Sequence, residues 1–192
     1  MRPARWWTIA ATIAAAAALC ASPPCARAQQ AEPPPLPNEY TVKAVFLYNF
    51  GRYVEWPGAA LGNPADPLVI GILGEDSFAG ALDEIAAKKT IQGRRIVIRR
   101  FASLEEYRPP CQILFVSRSL KGDLQAAAIK KTAGTGVLLV GETPGFAELG
   151  GIANFFVDGD RIRFEINASA ARRAQLRMDA KLLSLGRPVG VQ

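Results

Sequence analysis

Three short loops carry the residue types that could do chemistry: GEDS at 74–77, SRS at 117–119 and GETPG at 141–145. Each follows an apolar run. If those runs are parallel strands, the loops meet in the crevice beyond the strands' carboxyl ends, where open parallel sheets bind ligands. Glu75, Ser77, Arg118, Ser119, Glu142 and Thr143 would then converge beside helix N-termini able to hold an anion. The chemistry would be capture of a small ligand. A plainer reading competes with it, since serine before an apolar period commonly caps a helix, and Ser77 and Ser119 fit that role.

Covalent and metal chemistry find less support. The chain has no histidine, which excludes histidine-dependent triads and histidine zinc sites. It has no G-x-S-x-G elbow, no Walker loop and no G-x-G-x-x-G between a strand and a helix. Carboxylates pair in sequence at Glu75 and Asp76, Asp83 and Glu84, and Glu105 and Glu106, but adjacent side chains on a helix diverge, so they read as solvated charge. DGD at 158–160 lacks the other ligands of a calcium loop and reads as a turn. The expectation is a protein that is not an enzyme and uses no metal and no cofactor.

The elements that must position the loops follow from periodicity. Apolar runs PLVIGIL, RRIVIRRF, CQILFVS and GVLLVG alternate with helical patterns at about 39–55, 77–88 and 120–131. GIANFFVDGDRIRFEI then supplies two strands around the Asp158-Gly159 turn pair, and a last helix is expected over about 168–185. This rhythm predicts an α/β fold in three layers: a mostly parallel central sheet with an antiparallel C-terminal hairpin and helices on both faces.

In the first helix, KAVFLYNFGRYVEWP, a step of about 100° per residue puts Val42, Phe46, Phe50 and Tyr53 on one face. Val45, Trp56, Leu47 and Val54 widen that arc, and Tyr48, Gly51, Arg52 and Glu55 lie opposite. Asn49 falls inside the arc, so it is expected to be buried and hydrogen-bonded as a structural polar residue. An arc this wide calls for cover on two sides, which a second subunit would supply; a homodimer is therefore one expected assembly.

Residues 1–28 read as a secretory signal peptide: the basic MRPAR, the apolar WWTIAATIAAAAALC, and a cleavage site after Ala28. The expected domains are then a Pro-rich tether at 29–38, one folded domain at 39–187 and a tail at 188–192. In a bacterium the destination is the periplasm, and past Ala28 no stretch is apolar enough to span a bilayer. Removing Arg2, Arg5 and Arg27 leaves 20 basic against 17 acidic residues, so the charge gives no ground for nucleic-acid binding. Only Cys111 survives processing, which rules out an intramolecular disulfide. Its strand setting favours an inert core thiol over an intermolecular disulfide.

KAVFLYNFGRYVEWP, GILGEDSF, CQILFVS, GFAELGGIANFF, RIRFEINASAA and AKLLSLG, in this order, resemble the YfiR family of bacterial periplasmic proteins over essentially all of 39–187. The resemblance implies a regulator that binds and represses the periplasmic sensor domain of an inner-membrane signalling protein, a diguanylate cyclase, and so lowers cyclic di-GMP and biofilm formation. It also implies a mixed sheet flanked by helices, often in a dimer. Disulfide-bonded relatives pair a cysteine at the Cys111 position, whereas Cys111 here stands alone, so redox control is not expected. Gln112 stands where histidine is frequent in the family. The alternative function is a periplasmic small-ligand binding or sensing protein that uses the strand-end crevice.

The partner surface is expected on GFAELGGIANFF and the hairpin after it, at Phe146, Leu149, Gly150, Gly151, Ile152 and Glu165. Apolar anchors beside a polar rim suit an interface. Phe146 and Leu149, on a loop, are the stronger anchors, while alternation makes Phe156, Phe164 and Ile166 the inner face of the hairpin.

Overall fold

Strands buried on both faces have no polar alternation, and three runs of this chain have that character. In the computed structural model, which describes residues 38–190, all residues of LVIGIL, ILFV and LLVG are buried. The expected signal peptide at 1–28 and nearly all of the tether lie outside the described residues. In chain order the elements are α1 (Glu39–Tyr53), β1 (Val54–Glu55), α2 (Gly58–Leu61), β2 (Leu68–Leu73), α3 (Ala81–Lys88), β3 (Thr90–Ile91), β4 (Arg94–Phe101) and β5 (Ile113–Val116). There follow α4 (Gly122–Thr132), β6 (Leu138–Gly141), β7 (Ala153–Asp158), β8 (Arg161–Ile166), α5 (Ala168–Arg173), β9 (Arg177–Met178), α6 (Ala180–Leu185) and β10 (Arg187–Pro188).

Eight strands form one sheet in the order β10-β8-β7-β6-β5-β2-β4-β3. From β4 to β7 neighbouring strands run parallel, β7 and β8 form the expected antiparallel hairpin, and β3 is antiparallel to β4. The hairpin turns at Gly159, whose φ of 63° suits a residue without Cβ. A separate two-stranded sheet pairs β1 with β9. The architecture is the mixed α/β class expected from the alternation, with helices on both faces. One core joins α1 to Ile70, Ile72, Phe115, Val140 and Phe155; on the other side Val69, Leu114, Val116 and Leu139 pack with Ala128 of α4.

Two expectations about helices are corrected. The last helix is not continuous over 168–185: Ala174 closes α5, Gln175 takes a φ of 59°, and the chain extends to pair with β1 before Asp179 caps α6 through the Lys181 N–H. Of the apolar residues at helical spacing, Ala171, Ala174 and Leu182 are buried, whereas Met178 lies in β9 and Leu185 is exposed. In α1 the inward face is turned by roughly a quarter of a revolution from the expected one. Glu39, Lys43, Ala44, Leu47, Phe50 and Gly51 are buried, while Val42 and Val45 are exposed at 40% and 47%. Asn49 therefore sits half-exposed, not buried, and its side chain makes no hydrogen bond among the described residues. Packing decides the rotation: Phe50 stacks on Phe155 at 5.7 Å and meets Phe164 edge-on at 5.0 Å, and Gly51 lets the helix close onto Ile91.

Candidate functional site

Parallel β5 and β6 end side by side, and the residues just past their carboxyl ends are Arg118 and Glu142. The Arg118 amide donates to Glu142 Oε1 at 2.9 Å, and its guanidinium lies 3.2 Å from Oε2. The first turns of α1 close over this pair. Lys43 Nζ donates to Glu142 Oε2 at 2.6 Å and to Glu39 Oε1, which also accepts from Arg118 at 2.6 Å. Tyr40 donates its hydroxyl to Glu142 at 3.3 Å, and Lys43 lies 4.5 Å from the Tyr40 ring centre.

Two carboxylates and two cations thus share one site, with Glu39, Lys43 and Glu142 only 3%, 2% and 6% exposed. Burial by itself would raise the Glu142 carboxyl, but the charge and hydrogen bond of Lys43, then the amide and charge of Arg118, outweigh it and hold the group below the ordinary carboxylate range. Burial, with the Glu142 charge next, pushes the Tyr40 phenol up to about 12. The cluster is neutral as a set and internally bonded, so it can pin α1 to the strand ends. A ligand entering there would have to displace α1's own side chains.

Of the residues expected in the crevice, Arg118 and Glu142 are brought into contact. Ser119 Oγ accepts from the Glu75 amide at 2.9 Å, tying the loop after β2 to the loop after β5, and Glu75 is exposed. Thr143 Oγ1 accepts from Gln125 of α4 at 2.8 Å. The capping alternative is corrected as well. Gly80 precedes α3 and Lys121 precedes α4, so neither Ser77 nor Ser119 is an N-cap. Sequence reasoning missed Glu39 and Lys43. Their spacing of four residues was the available signal, but it marks any helical ion pair.

The loop from Thr143 to Gly151 folds back on itself, with Phe146 N–H donating to the Thr143 carbonyl and Gly151 N–H to the Phe146 carbonyl. This corrects the picture of Phe146 as an exposed anchor. It is 1% exposed, and a Cβ on Gly141 or Gly151 would overlap its ring. Gly151, Ile152 and Glu165 are also inside; Glu165 pairs with Arg187 and accepts from Asn154 at 3.2 Å. Leu149 alone of the expected apolar anchors projects, at 66% exposure, next to half-buried Gly150.

The order of these motifs along one sheet invites comparison with known families, and a family model described as YfiR/HmsC-like matches residues 40–187. The chain belongs to the YfiR/HmsC-like family. No curated protein matches it. The matched span of this YfiR/HmsC-like chain contains α1 from Tyr40, the charge cluster except Glu39, and the Leu149 loop.

Among the described residues of this family member, no three Cys, Asp or Glu side chains are grouped to hold a metal ion, and no helix is long and apolar enough to cross a membrane. Cys111 is buried, and burial pushes its thiol up to about 12. Thiolate is the reactive form, so Cys111 is expected to be inert in the folded protein. In a chain with Cys20 and Cys25 replaced by serine, Ellman's reagent at pH 8 should label less than about a tenth of Cys111 until denaturant is added. Rapid labelling without denaturant would contradict the burial.

Proposed function

We propose that this chain is a periplasmic, non-enzymatic regulator that binds and represses the periplasmic sensor domain of an inner-membrane signalling protein, a diguanylate cyclase being the expected partner. The observation that carries this reading is family membership across 40–187, nearly the whole described domain. The geometry supports it in a second way. Charged groups that a small-ligand site would need at the strand ends are already bonded to one another, whereas Leu149 offers an exposed apolar side chain on a short, glycine-braced loop. An exposed leucine beside Glu148 suits the anchor-and-rim pattern of a protein interface.

The test is cellular cyclic di-GMP. Deleting the coding sequence should raise it several-fold, and the parent gene should restore it. Leu149→Asp should be exported and folded yet fail to restore it. An unchanged nucleotide level on deletion would sink the regulatory reading, and full restoration by Leu149→Asp would sink the surface. Small-molecule sensing at the crevice predicts instead a calorimetric signal with metabolites that is lost when Arg118 is replaced by glutamine.

A further inference from the structure

The sheet has one edge that is only partly closed. β3 pairs with β4 at Arg94 and Arg95 and goes no further, whereas β4 continues to Phe101. Along β4 the inner side is fixed by the bond from Gly74 N–H to the Phe101 carbonyl, so Phe101, Arg99 and Val97 direct their backbone groups to β2. By alternation Ile96, Ile98 and Arg100 direct theirs outward. Among the described residues no strand pairs with that outer side. An extended row of N–H and C=O groups of this kind is a template for one more strand.

The side chains along this edge have a definite charge. Arg94 is engaged by the carbonyls of Leu61, Asn63 and Asp66, and Arg100 by Asp76 and Asp83. Arg95 and Arg99 make no ion pair among the described residues; Arg99 only reaches the Pro110 carbonyl at 3.4 Å. They flank half-buried Val97 on one face of the strand. A second copy is a poor occupant. RRIVIRR reads the same in both directions, so antiparallel self-pairing centred on Val97 would set Arg95 opposite Arg99 of the other copy.

We infer that the outer edge of β4 is a docking site for an extended acidic segment of another protein, which adds a strand against Ile96, Ile98 and Arg100 and places carboxylates on Arg95 and Arg99. The backbone row supplies the hydrogen bonds and the arginines select the charge. This surface goes beyond the regulatory reading above and does not depend on it, because its test involves no membrane partner.

The test uses two fluorescein-labelled ten-residue peptides, one alternating threonine and glutamate and the other threonine and lysine. Fluorescence anisotropy should show the glutamate peptide binding at least tenfold more tightly. Hydrogen–deuterium exchange should slow at the Ile96, Ile98 and Arg100 amides when it is bound. In R95E/R99E, verified as folded by circular dichroism, the preference should invert toward the lysine peptide. Equal affinities, absence of binding to the parent protein, or protection confined to other amides would overturn the assignment. The arginines would then serve only to blunt an aggregation-prone edge.

Discussion

Lys43→Met is expected to lower the melting temperature by on the order of 10 °C at pH 7. The substitution keeps the bulk of the lysine stem but removes the cation that bridges Glu39 and Glu142, each almost fully buried. Breaking a buried ion pair from one side costs about 3–5 kcal/mol, because the remaining charge is left desolvated. In a domain of this size each kcal/mol moves the midpoint by about 2–4 °C. The effect should depend on pH in a direction that the cluster fixes. In the parent, Glu142 has a lowered folded pKa, so its pairing contributes fully above the ordinary carboxylate value of about 4.3 and is lost as pH falls through the lowered one. Without Lys43 only the Arg118 amide and charge are left to offset burial, so the variant's carboxyl takes up its proton at a higher pH than the parent's. The gap between parent and variant should therefore narrow as pH falls from 7 to 4.5. Thermal melts followed by circular dichroism at the two pH values decide it. A gap under about 1 kcal/mol, or one independent of pH, would show that the cluster does not pin α1. Glu142→Gln added to Lys43→Met should cost less than the sum of the two, since each single change strands the other's charge.

That cluster also marks where sequence reading stops. Arg118 and Glu142 were legible because parallel strands order their own ends: once ILFV and LLVG are adjacent strands, the residues after them must be neighbours. Lys43 and Glu39 were not, because their partners lie 99 and 79 residues along the chain, and a scan for apolar spacing treats charged residues as outward by default. The same default misplaced the face of α1. Val42 and Val45 were counted as core, while the charge balance at the strand ends and the closeness of Gly51 to Ile91 turn the helix the other way. The sheet was legible for the opposite reason. Its three central strands are apolar throughout, and no long-range pairing of charges is needed to place them. The two halves of the C-terminal segment failed again on a local detail, a left-handed glutamine that no hydrophobic period encodes.

Phe146→Ala is expected to destabilise the domain by about 3–5 kcal/mol, the range for removing a buried phenylalanine ring. The size of the effect follows from how little the site can collapse. Gly141 at the end of β6 and Gly151 at the end of the loop present bare backbone to the ring, so neither has a side chain that could swing into the space. The loop is also held by its own turn bonds from Phe146 and Gly151. Leu149→Asp, three residues on, exposes no cavity and should stay within about 0.5 kcal/mol of the parent. Urea denaturation midpoints measure both. The comparison separates two meanings of a lost interaction. Under the proposed regulatory function, Phe146→Ala should relieve repression only in proportion to the folded protein lost, whereas Leu149→Asp should relieve it with folded protein at the parent level. Parent-like stability of Phe146→Ala would mean that the loop repacks, and it would return Phe146 to the candidates for direct contact.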